Sequence, residues 1–90
     1  MGERPMDYYM LAFSSTHAAI SAQKHLTGLC PFQTMPVLRE VSAGCGIALR
    51  FAPGFLDVVR SALDTAPLLS DEYTFYAVTG GGRGISAEQL

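Results

Sequence analysis

Twice along this chain a run of strand character gives way to a helix signal and then returns to strand, and few folds accommodate that alternation. Residues 7–13, DYYMLAF, are aromatic and apolar, with Tyr9, Leu11 and Phe13 on one face and Tyr8, Met10 and Ala12 on the other. Ser14, Ser15 and Thr16 then place hydroxyls before HAAISAQKHL, and such a hydroxyl can accept from an orphan amide of a first helical turn. The inward stripe of that helix is thin (Ala18, Ala19, Ala22, Leu26), which suits close packing on a sheet, and Gly28 is a natural stop.

A second strand over residues 32–35 is bracketed by Pro31 and Pro36, which assigns it to a sheet edge because proline cannot donate to a ladder. Ile47, Leu49 and Phe51 alternate with Ala48 and Arg50, a third strand with its larger residues turned inward. Pro53 opens a second helix. Its stripe is Phe55, Val59, Ala62, Leu63 and Ala66, and Pro67 ends it. Residues 73–79, YTFYAVT, form a fourth strand, and the glycine-rich residues 80–90 read as a flexible tail outside a single domain of residues 1–79.

The order β-α-β-β-α-β predicts an α+β, ferredoxin-like sandwich: a four-stranded antiparallel sheet with two helices on one face. The other face then presents Tyr8, Met10, Ala12, Ala48 and Arg50, apolar enough to be covered by a partner or by a second copy in a homodimer.

Several function classes drop out on composition. The 90 residues are 49% hydrophobic and 16% charged with net charge −2, so the chain is globular and carries no basic stripe for nucleic acid. Its apolar runs all fall short of a membrane span, its first residues have no signal-peptide layout, and a cytoplasmic location is expected. GGGRG lacks the Lys-Ser/Thr ending of a phosphate loop. Tyr73, Phe75 and Tyr76 have no basic neighbours that would make them a base-stacking platform, and they read as core.

Two cysteines, Cys30 and Cys45, fit neither a metal spacing nor CxxC. In the expected topology the first and second strands run the same way with the third between them. The N-terminus of the first helix, with Thr16 and His17, and the loop carrying Cys45 therefore share one end of the sheet. Helix N-termini carry about half a positive charge, and a thiol nearby is held toward thiolate. Gly44 and Gly46 flank Cys45 and permit positive φ. Arg39 adds charge near the loop, while Arg50 points either there or onto the open sheet face. His17 is positioned to hydrogen-bond the thiolate or to be a first-turn surface residue; His25, late in the helix, reads as surface. Cys30 falls at the opposite end, roughly 15 Å away by strand rise. That distance argues against a Cys30–Cys45 disulfide, which needs Cα atoms within about 7 Å.

The segment REVSAGCGIALRF, with FSSTHAA before it and the proline-started helix after it, resembles the small bacterial family of selenium/sulfur carrier-like proteins. The resemblance runs from Tyr8 to Ala66, and its most specific piece is R-E-x-S-x-G-C-G-x-A-L-R-F. It implies a carrier holding the chalcogen as a persulfide or selenosulfide on Cys45, passed between donor and acceptor proteins; an enzyme activity, a cofactor and a metal are not expected. By residue match, Arg39, Ser42, Gly44, Gly46 and Arg50 are the motif neighbours of that sulfur. The competing expectation is a small homo-oligomeric interaction or ligand-sensing module in which Cys45 is incidental. A thiol-dependent reductase is a third and weaker fit, because no resolving cysteine lies close in sequence.

Overall fold

A computed structural model describes residues 7–38, 41, 46–81 and 84–90. The chain forms β1 (Tyr8–Phe13), α1 (Thr16–Leu26), β2 (Gln33–Pro36), β3 (Ile47–Phe51), α2 (Leu56–Thr65), β4 (Tyr73–Gly81) and β5 (Gly84–Gln89). Single helical turns at Pro53–Phe55 and Ser70–Glu72 lead into α2 and β4. The strands make one sheet in the order β2-β3-β1-β4-β5, with antiparallel pairing at each step.

Local chemistry explains the elements. Ser15 caps α1: its backbone is extended and its hydroxyl accepts from the Ala18 amide at 3.1 Å. Past the other end Gly28 takes φ +89°, a left-handed conformation that glycine adopts without a Cβ penalty. Pro53 enters the turn before α2, where its missing N–H costs nothing. Ahead of β4 the Glu72 carboxylate accepts from the Leu69 amide at 2.9 Å.

The main core lies between the sheet and both helices. Leu11, Phe13, Leu49 and Phe51 meet Ala18, Ala19, Ala22 and Leu26 of α1 and Val59, Ala62 and Leu63 of α2. Both helices thus pack on one sheet face, through the stripes their sequences display. Tyr73 and Phe75 of β4 close this core, in edge-on contact with each other at 5.9 Å between ring centroids.

Three expectations need correction. The sheet has five strands, not four. The boundary expected at Thr79 falls inside β4, and residues 84–89 pair along β4 from Gly81↔Gly84 to Tyr76↔Gln89 rather than trailing as a tail. Glycine at both ends of a short connection is hairpin chemistry, and an existing strand edge templates even a sequence as weakly strand-forming as GISAEQ.

The second correction concerns the sheet face expected to be open for a second copy. Met10 and Ala48 are fully buried and Ala12 is 3% exposed. They form a second core with Val78 and with Val41, and Val37 and Leu38 pack against it. Val37, Leu38 and Val41, from the stretch between β2 and β3, therefore cover the Met10, Ala12 and Ala48 part of this face, while Tyr8 stays half-buried and Arg50 exposed. Third, Ile47 is not core: it is 40% exposed, while Leu49 and Phe51 of the same face are buried.

Candidate functional site

The candidate site is the sheet end at which β1 stops and β3 begins. The β1–β3 register runs from Tyr9↔Phe51 to Ala12↔Ala48, so the end of β1 and the start of β3 lie at the same end of the sheet. On the outer side Pro36 is the partner of Ile47, and the Val37 amide donates to the Gly46 carbonyl at 3.1 Å. On the inner side Phe13 pairs with Tyr73, and the Ser14 amide donates to the Glu72 carbonyl at 3.0 Å. Helix α1 starts from this same end, with Ser15 as its cap and Thr16 and His17 exposed in its first turn. β1 and β2 both run antiparallel to β3 and thus parallel to each other, which is why the start of α1 and the return of the chain into β3 coincide.

Of the residues expected to act here, Thr16, His17 and Gly46 are gathered at this end. Arg39, Ser42, Gly44 and Cys45 lie outside the described residues. Gly46 has open space where a Cβ would stand, and its φ is not in the left-handed region. The conformational reason expected for a glycine therefore does not hold at position 46, and lack of bulk is what it offers.

Arg50 is elsewhere. It lies four residues past Gly46, about 13 Å along the strand, with its guanidinium carbon 4.4 Å from the centroid of the Tyr8 ring. Of the two orientations weighed for it, it takes the sheet face. Tyr8 and Arg50 are diagonal neighbours across β1 and β3, a pairing readable once the register is known.

Cys30 is a free thiol, 8% exposed, in the main core ahead of β2. Burial alone pushes its pKa above the ordinary thiol value, and a protonated, enclosed thiol is a poor nucleophile. His25 donates to or accepts from the Thr65 hydroxyl at 3.2 Å, tying the end of α1 to the end of α2. Among the described residues no three His, Cys, Asp or Glu gather as a metal-binding group. Among the described residues no helix is long and apolar enough to cross a membrane.

Sequence reasoning missed Val41. It is 6% exposed and its amide donates to the Leu38 carbonyl at 2.9 Å. A lone valine among polar and small residues has no periodicity to reveal it, and it becomes visible only when the second sheet face is found covered.

The arrangement defines a small α+β protein whose two-helix layer starts, through α1, at the sheet end where β3 begins. The chain belongs to the family described as "Putative Se/S carrier protein-like", whose family model matches residues 8–73. That match spans β1 to the first residue of β4 and includes the whole candidate end of the sheet. Comparison with curated proteins and with solved structures found no match.

Proposed function

We propose that the chain carries sulfur or selenium on Cys45 between a donor and an acceptor protein. The observation that carries this reading is the convergence of the α1 N-terminus with Gly46, the residue that follows Cys45 in sequence, at one end of the sheet. The free amides and dipole of a helix start stabilise an anion, and thiolate is the reactive form of cysteine. Family membership supports the same chemistry.

In this reading the Cys45 thiolate attacks the terminal sulfur of a donor persulfide. The donor's sulfur–sulfur bond breaks, the donor leaves as thiolate, and Cys45 holds the persulfide. A nucleophile of the acceptor then attacks that outer sulfur and returns Cys45 as thiolate. The selenium route is the same with a selenosulfide. Each exchange conserves electrons, so no outside oxidant or cofactor takes part, and the chain acts as carrier rather than enzyme. Thr16 and His17 belong to the helical turn assigned to the anion, and the small Gly46 leaves room for a partner's active site. Arg50, expected from the motif as a neighbour of the sulfur, stands over the Tyr8 ring on the sheet face.

The test is loading. After incubation with a cysteine desulfurase and cysteine, the intact mass should rise by one sulfur atom, located to the Cys45 peptide. Cys45→Ser should lose the gain with its circular dichroism unchanged, and Cys30→Ser should keep it. No gain, or a gain on Cys30, overturns the proposal.

A further inference from the structure

Away from the carrier end the chain builds a cleft of about 360 Å³. Three segments meet there: the start of β1 (Asp7, Tyr8), the turn into β2 (Phe32, Gln33), and the end of β3 (Arg50, Phe51). Tyr8, Phe32 and Phe51 make part of the lining aromatic, and the size falls in the range of small-molecule sites. From this cleft we infer a binding site for a small monocarboxylate with an apolar body, its carboxylate received by Arg50. The inference does not depend on the chemistry of Cys45.

Arg50 is held over an aromatic ring. Its side chain is exposed, yet the guanidinium stands 4.4 Å over the Tyr8 ring. Stacking on an aromatic face fixes the plane of a guanidinium and leaves its N–H edges available. Those edges match a carboxylate in two parallel hydrogen bonds. Among the described residues Arg50 has no ion-pair partner, so the fork is set and unspent.

Asp7 shapes the selectivity of the larger cleft. One of its carboxylate oxygens accepts from the Gly80 amide at 2.6 Å, and its own amide donates to the Val78 carbonyl at 2.8 Å. The negative charge is therefore held in the cleft lining. With one cation and one anion there, each ligand charge beyond the one Arg50 receives meets only repulsion, which favours a monocarboxylate over a phosphate or a tricarboxylate. Phe32 and Tyr8, both half-buried, offer apolar surface for the body of the ligand.

The test is an amide-resonance titration of the full chain with phenylacetate, 2-phenylethanol and citrate. Phenylacetate should give saturable shifts at Tyr8, Gln33, Arg50 and Ala52. The neutral alcohol and citrate should bind at least tenfold more weakly. Arg50→Gln should weaken phenylacetate at least tenfold, and Arg50→Lys should lose most of the affinity while keeping the charge, which covers the case in which the glutamine variant does not fold. Absence of shifts with phenylacetate, equal binding of the alcohol, or unchanged affinity in the lysine variant overturns the site.

Discussion

At the scale of single residues, burial decides what Cys30 does. Desolvation raises its pKa, so the folded state favours the neutral thiol. The stability this contributes is fully present below the ordinary thiol pKa of about 8.5 and is lost as pH rises through the raised folded value. Urea midpoints measured upward from about pH 8 should therefore fall more steeply in the native chain than in Cys30→Ala. Equal slopes would show that the thiol titrates as freely as in the unfolded chain. The inertness of Cys30 was legible in the sequence, because nothing around it has the glycines or the helix start that accompany Cys45. The stacking of Arg50 on Tyr8 was not, since it depends on a strand register that no local pattern prints.

At the scale of elements, α1 is the piece on which the account leans. Its inner stripe of three alanines and one leucine buries little apolar area, so its start depends on the Ser15 cap. Ser15→Ala removes the hydroxyl that accepts from Ala18 and should cost about 1 kcal/mol. In a chain of this size that lowers the Tm by about 4–8 °C; a melt unchanged within error would contradict the capping role. Both helices, their caps and their buried stripes were readable because 3.6-residue periodicity and cap chemistry are local. β5 was not readable. Its glycine-flanked, polar sequence is a strand only because the edge of β4 is there to pair with. Deleting residues 84–90 should therefore lower the Tm by at least the loss expected for about 1 kcal/mol, whereas removal of a flexible tail would leave it unchanged.

At the scale of the whole molecule, topology does what no single residue can. Antiparallel placement of β3 between β1 and β2 brings the start of α1 to Gly46 across about 30 residues of chain. That meeting was legible from element order alone, because connection rules leave few ways to arrange strands of this alternation. The fate of the second sheet face was not legible. Alternation marks Met10, Ala12 and Ala48 as apolar but cannot say whether a partner or the chain itself covers them, and Val41 settles it for the chain. The central claim is that this topology sets Cys45 apart from Cys30 as a thiolate ready to react. The most direct measurement is alkylation of the native chain by iodoacetamide across pH, with each cysteine followed by peptide mass. The account predicts that Cys45 is modified rapidly at about pH 7, with an apparent pKa below the ordinary thiol value, while Cys30 reacts only on unfolding. Alkylation of Cys45 no faster than that of Cys30, or only at pH above about 8.5, would contradict it.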